Sequence, residues 1–331
     1  MIFSRLSILL SLGGIVVPTQ PVQAASNEIH YRTVDVAGVN IFFREAGNPK
    51  APTILLLHGF PTSSHMFRDL IPLLADRYYL IAPDYPGFGY SARPKVSEFD
   101  YTFDHLADVM EGFVDTLGLK RYALYMQDFG GPVGFRLAAR RPEQVRALII
   151  QNANAYEEGV SSGVREVVLR IWKERTPQTE ARLKELFELP ATKRQYLEGA
   201  PDPSLVSPDA WEHAQWGMDR PGDKEIQFAL HANYGSNVEH YDEWHAYFRK
   251  YQPPTLIVWG KGDFVFTLAG AEAYRKDLKH VELHMLNAGH FALEINAKSI
   301  RYASESGPNF PNPGTIAGGG GPGGPRNPVS H

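Results

Sequence analysis

The chain has 331 residues, enough for one large domain or a domain carrying an inserted subdomain. Hydrophobic residues make up 43% and charged residues 21%, the balance of an ordinary soluble globular protein. The net charge of −4, with no long Lys/Arg run, argues against a nucleic-acid binder, and the lack of cysteine removes any disulfide framework.

At the N-terminus Arg5 supplies a short positive region, and the largely apolar stretch 6–17 follows. Val22-Gln23-Ala24 then places small residues where a signal peptidase reads, so residues 1–24 are expected to be a cleaved signal peptide. That pattern predicts a periplasmic or secreted protein. The apolar run is too short for a membrane span, which needs roughly 20 residues. Pro18 and Pro21 make a buried N-terminal helix awkward.

Residues 29–47, "IHYRTVDVAGVNIFFREAG", predict an antiparallel hairpin. The continuous aliphatic run in "TILLLHGF" (53–60) predicts a buried strand. Residues 65–77 have helix-like spacing, interrupted early by Pro72. "YYLIAPDYPGFGYS" (78–91) reads as a strand ending in a Pro/Gly loop. Residues 102–119 predict a helix opened by a capping Thr102 and closed by Gly118. Further strands are expected at 121–126, 146–152, 254–260 and 280–286. Repeated strand–helix alternation implies a mostly parallel sheet with helices on both faces, the α/β class. Between about 155 and 251 the alternation stops. That stretch is helical in pattern and rich in aromatics, with Trp172, Trp211, Trp216 and Trp244. It is expected to be an inserted helical cap, dividing a core made of 25–154 and 252–305. Residues 306–331 are Gly/Pro-rich without a period and are expected to be a disordered tail.

The chemistry centres on "YMQDFGGPVGFRLA" (125–138). Asp128 follows a strand and precedes Phe129, Gly130, Gly131 and a helix-forming run. A sharp strand-to-helix turn needs tiny residues after a nucleophile, and it projects that side chain above the sheet edge. The same turn leaves backbone N–H groups at a helix N-terminus, where they stabilise negative charge. Taken alone, Asp128 serves equally well as an ordinary helix N-cap. Asp263 in "KGDFVF" and His290 in "NAGHFALE" each fall just past a strand, so nucleophile, acid and histidine follow in the order this architecture requires. "HGFP" (58–61) ends the third strand. Its glycine lets the Phe60 N–H turn into the pocket, where with the Phe129 N–H it would form an oxyanion hole; an ordinary turn is the alternative.

On these motifs ("HGFP", "APDYPGFGYS", "QDFGG", the Asp263 loop and "GHFALE") the chain resembles an α/β-hydrolase with a helical cap from about 30 to 294. Within that superfamily it is similar to the aspartate-nucleophile branch, the epoxide hydrolases and haloalkane dehalogenases. A carboxylate needs no base to act as a nucleophile, and its attack on an sp³ carbon gives an alkyl-enzyme ester. His290 would then activate a water, with Asp263 holding the imidazole. Two departures stand out. Met126 lies two before the nucleophile, where the serine enzymes usually carry a small residue. The family continues past the histidine with a packed helix, whereas here "INAKSIRYASES" gives way to the Gly/Pro tail. That helix is therefore expected to be shortened or missing, and His290 less firmly supported.

Epoxides and alkyl halides are the natural substrates of such a nucleophile. A halide wants N–H or ring-edge donors, and dehalogenases of this branch place Trp directly after the nucleophile. Here Phe129 holds that position, and Phe60 rather than Asn the variable position of "HGFP", leaving Trp172 as a candidate donor. An epoxide oxygen needs an acid, which the resemblance assigns to cap tyrosines: Tyr234 in "HANYGSN", with Tyr156 second, though aromatic packing suits Tyr156 better. Haloacetate dehalogenases carry arginines where Phe129 and Pro132 stand. "QDFGG" and "LIIQNAN" nevertheless have the texture of dehalogenases. Epoxide hydrolysis to diols is the leading reading, haloalkane dehalogenation the alternative. A non-catalytic homologue, or an esterase or lactonase using Asp128 as a base, is the rival from other classes. The expected partners are a small apolar organic substrate and water. No metal or organic cofactor is implied, for the sequence has no clustered His/Cys pattern and no phosphate-binding Gly loop.

Overall fold

The computed structural model describes residues 28–306; the expected signal peptide, and the expected tail beyond Ser306, lie outside the described residues. Strands β1 (His30–Val36) and β2 (Val39–Ala46) pair antiparallel. Their two-residue turn, Ala37-Gly38, has φ of 50° and 88°. Positive φ at both positions gives the turn a twist that matches the flanking strands. Six more strands follow: β3 (Thr53–Leu57), β4 (Tyr79–Pro83), β5 (Tyr122–Gln127), β6 (Val145–Gln151), β7 (Thr255–Gly260) and β8 (Val281–Leu286). They form one eight-stranded sheet in the order β1-β2-β4-β3-β5-β6-β7-β8, parallel from β4 onward.

Side chains alternate across a strand, so a run that is aliphatic at every position must be covered on both faces. In β3, Leu55 and Leu57 enter one core with Phe113, Leu124 and Leu148. Ile54 and Leu56 enter the other with Phe67, Leu74 and Tyr125. The helix Phe103–Thr116 covers the first face, with the Thr102 hydroxyl accepting from the His105 N–H at 3.2 Å as its cap.

Two stretches differ from expectation. Residues 65–77 form a 3₁₀ turn, Ser64–Phe67, and a single helical turn, Ile71–Leu74. Pro72 has no N–H to give an interior hydrogen bond but fits a first turn, so the helix begins beside it instead of running through it. The second difference is the terminal helix, which is neither missing nor a stub: it runs Leu293–Ser306 with a kink at Asn296. Ile300 and Ala303 are buried in the second core, and Arg68 grips the buried Glu294 carboxylate at 2.6 Å. Apolar anchoring on one face is what the short run after Glu294 supplies.

Between β6 and β7 the chain is helical, the longest helices being Pro208–Met218, Asp223–Asn233 and Tyr241–Tyr251. Among the described residues no helix is long and apolar enough to cross a membrane.

Candidate active site

Asp128 links β5 to the helix Gly130–Arg140 with φ of 49°. A non-glycine residue in that region costs about 1–3 kcal/mol, and the surrounding packing has to hold it there. Small residues make this possible. A Cβ on Gly130 would run into the Leu57 carbonyl oxygen, and one on Gly59 into the Asp128 side chain. Gly134 plays the same part for Met126, whose thioether fills the space a larger residue would need. The long side chain two before the nucleophile position is thus compensated one turn into the helix.

The Asp128 carboxylate does not cap that helix, for the helix start has no side-chain cap. It turns instead to the "HGFP" loop, where the Phe60 N–H donates to Oδ1 at 2.7 Å. Beneath the loop His58 is buried. Its Nδ1 donates to the Gly59 carbonyl at 3.1 Å, while its Nε2 accepts from the Tyr85 N–H at 3.2 Å.

His290 is fully enclosed between two carboxylates. Its Nδ1 lies 3.0 Å from Asp263 Oδ2 and its Nε2 3.7 Å from Asp128 Oδ2. Asp263 is itself pinned: Oδ1 accepts the Val265 and Phe266 N–H groups at 2.8 and 3.1 Å, and Oδ2 accepts Asn152 Nδ2 at 2.7 Å. Burial works against charge on His290, but the Asp263 and Asp128 carboxylates outweigh it and push the imidazole up to about 10. The two carboxylates thus favour the imidazolium form of the ring. Gln127, adjoining Asp128, places its side-chain Nε2 3.2 Å from His290 Nε2 and leaves its own Oε1 buried without a partner. Rotating the carboxamide puts that oxygen against the imidazolium N–H, so one amide serves either charge state of the ring.

A cavity of about 440 Å³ opens above Asp128, lined by Phe60, Phe129, Val168, His231, Tyr234 and Phe266 among others. Tyr234 is buried there, and its hydroxyl has no hydrogen-bond partner among the described residues. Burial, with the nearby Tyr241 and Asp128, raises its pKa well above 10 and keeps it protonated. The other two leaving-group candidates are placed elsewhere. The Tyr156 hydroxyl is taken by Asp277 at 2.8 Å and its ring stacks on His245, so it faces away from the cavity. Trp172 is 40% exposed, lies over Gly235 and does not line the cavity. A wide π turn over Arg165–Leu169 precedes it and shifts which face the following residues present.

Sequence reasoning missed Gln127, Asn152 and His231. Two signals were available. Asn152 directly follows β6, beside the strand ends that carry the other groups, and His231 is three residues before Tyr234 at helical spacing. Among the described residues no group of three or more His, Cys, Asp or Glu could hold a metal ion.

Comparison with known proteins agrees with this architecture. The alpha/beta hydrolase fold family matches residues 52–297. An uncharacterized hydrolase of Saccharomyces cerevisiae is 41% identical over 266 residues, covering 80% of this chain and 91% of that protein. Haloalkane dehalogenase 2 of Mycobacterium tuberculosis is 48% identical over 101 residues, 30% of this chain and 35% of its own length. The crystal structure of a haloalkane dehalogenase from Bradyrhizobium elkani superposes with a TM-score of 0.67 at 26% identity, covering 83% of this chain and 95% of that one. The chain belongs to the α/β-hydrolase superfamily.

Proposed function

We propose that the protein hydrolyses epoxides to diols through an ester formed on Asp128. The supporting observation is Tyr234, a protonated hydroxyl without a partner in the same cavity as the Asp128 carboxylate. Asp128 Oδ2 attacks an epoxide carbon, the C–O bond breaks, and the departing oxygen takes the Tyr234 proton. Oδ1, already held by the Phe60 N–H, becomes the ester carbonyl oxygen. Esterification removes one of the two charges that hold His290 protonated, so its pKa falls and its proton passes on to restore Tyr234. The neutral imidazole then draws a proton from water, which attacks the ester carbonyl carbon and releases the diol. The departing alkoxide takes the proton of the newly formed Asp128 carboxyl group, which restores the carboxylate with one oxygen from water, and the imidazolium is re-formed.

Dehalogenation of alkyl halides is the second reading, and similarity to proteins named haloalkane dehalogenase favours it. Against it, Phe60 and Phe129 offer no side-chain N–H to a halide, and Trp172 stands outside the cavity. The test is a panel of terminal and aryl epoxides beside short haloalkanes, with diol and halide measured separately. Tyr234→Phe keeps the ring and removes the acid. It is expected to lower epoxide turnover by about 10²–10⁴-fold and leave halide release nearly unchanged. A silent Tyr234→Phe on every epoxide, with halide release that falls in Trp172→Phe, overturns the proposal in favour of a dehalogenase.

A further inference from the structure

Besides Asp128 and Tyr234 the cavity is lined by the polar Ser161, Ser162, Arg182, Arg194, Gln195 and His231; His231 sits beside Phe60 and Phe129 next to Asp128, and the reaction as derived does not use it. Its ring is clamped by aromatics: Phe60 at 4.4 Å, Phe129 at 5.2 Å and Phe187 at 5.2 Å between centroids. Nδ1 lies 2.8 Å from the Gln227 carbonyl oxygen, which can only accept, so Nδ1 carries the proton. Burial pushes the ring down to about 4 in spite of that hydrogen bond and of Asp128, so the imidazole is neutral at physiological pH. Nε2 is consequently a bare lone pair. It has no hydrogen-bond partner among the described residues, and the residue lines the cavity beside Asp128 and Tyr234. A fixed acceptor set among aromatic rings favours a ligand that brings a donor to that spot and penalises one that does not.

We propose that His231 is a specificity-determining residue and that the substrate class is the epoxy alcohols, in which a hydroxyl sits beside the epoxide ring. The inference rests on the epoxide reading above. His231 and Tyr234 are three residues apart, one helical turn, and face the same cavity. The ring oxygen and the neighbouring hydroxyl of a 2,3-epoxy alcohol are separated by two carbons, so two such side chains can address them together. Tyr234 donates to the ring oxygen while His231 Nε2 accepts from the hydroxyl. An aldehyde, an ether or a plain alkyl group at that position leaves the lone pair unmatched.

The experiment compares 2,3-epoxyhexan-1-ol with its methyl ether, which keeps the oxygen and nearly the same bulk but has no donor. Binding is read by calorimetry on Asp128→Asn protein, which does not form the ester, and kcat/KM on the active protein. The alcohol is expected to be favoured at least about tenfold in both. His231→Phe, in the same aromatic cage, is expected to bring that ratio close to one by weakening the alcohol alone. A ratio near one in protein carrying His231, or a preference that survives in His231→Phe, overturns the proposal. The ratio in protein carrying His231 decides even if His231→Phe does not fold. Absence of diol from both compounds defeats the epoxide reading, and the binding ratio still decides the role of His231.

Discussion

At 3.0 Å from Asp263 and 3.7 Å from Asp128, the His290 imidazole holds its proton until one neighbour loses its charge. In the reaction proposed above this separates a step that needs Asp128 from a step that needs a neutral His290. His290→Gln incubated with a turned-over substrate is therefore expected to accumulate protein heavier by the substrate's hydroxyalkyl portion, located by peptide mass on the Asp128 segment. An unmodified Asp128 peptide in a variant that still binds substrate would count against this order of events. The same coupling is visible without substrate. Asp128→Asn removes one carboxylate, so NMR titration should find His290 below the value of about 10 that both carboxylates support. The sign for stability follows. A folded-state pKa above the unfolded 6.5 gives stability that is full below 6.5 and fades as pH rises toward about 10. Asp128→Asn should narrow that window from its upper end.

The strand–turn–helix element sets the place of Asp128, and its glycines are not equivalent. At Gly130 a Cβ would meet the Leu57 carbonyl, backbone of the neighbouring strand that cannot swing aside. At Gly134 it would meet the far end of the Met126 side chain, which can change rotamer. Gly130→Ala is expected to cost about 1–3 kcal/mol, toward the upper end, and to reduce turnover by moving the elbow. Gly134→Ala should cost less and leave turnover closer to normal. Urea unfolding midpoints beside kcat for the two variants check the ranking, and equal losses would refute it.

Across the molecule, the cap is tied to the core through buried polar groups as well as apolar packing. Arg136, on the core helix Gly130–Arg140, donates to Asn237 Oδ1 of the cap at 2.8 Å and to Asp104 Oδ1 of the core at 2.9 Å. Its guanidinium also lies 5.5 Å from the Trp244 ring centroid. From the cap side, Asn233 Oδ1 accepts the Phe103 N–H at 3.0 Å, and the buried Asp223 takes Arg93 at 3.0 Å. Arg136→Met preserves length and bulk but leaves the buried Asn237 Oδ1 without its donor, while Asp104 keeps Arg140 at 3.1 Å. A loss of about 2–3 kcal/mol in unfolding free energy is expected, the scale of hydrogen bonds to a charged group. Chemical denaturation measures it, and a variant as stable as the parent would mean that apolar packing alone seats the cap.

How much of this was legible in the sequence depends on whether the deciding interaction is local. The parallel strands were readable because an aliphatic run bounded by turn residues must be buried on both faces, whatever its neighbours. The elbow was readable because tight backbone approach demands glycine, and the order of Asp128, Asp263 and His290 because strand ends in this topology converge on one edge. What packing against distant segments decides left no local trace. The Asp277 carboxylate claims the Tyr156 hydroxyl from 121 residues away, and Gly235 offers Trp172 a seat outside the cavity. The helix after Glu294 was expected to be shortened or missing because its apolar anchors are few, and only the core face they meet makes them sufficient. The sequence by itself determined the class of fold and which residue types stand at the strand ends. The tertiary structure alone decided that His290 lies between two carboxylates and that Tyr234 and His231 share one cavity. Electrostatic coupling and cavity walls are made by side chains far apart in the chain, and no periodicity along it records which of them will meet.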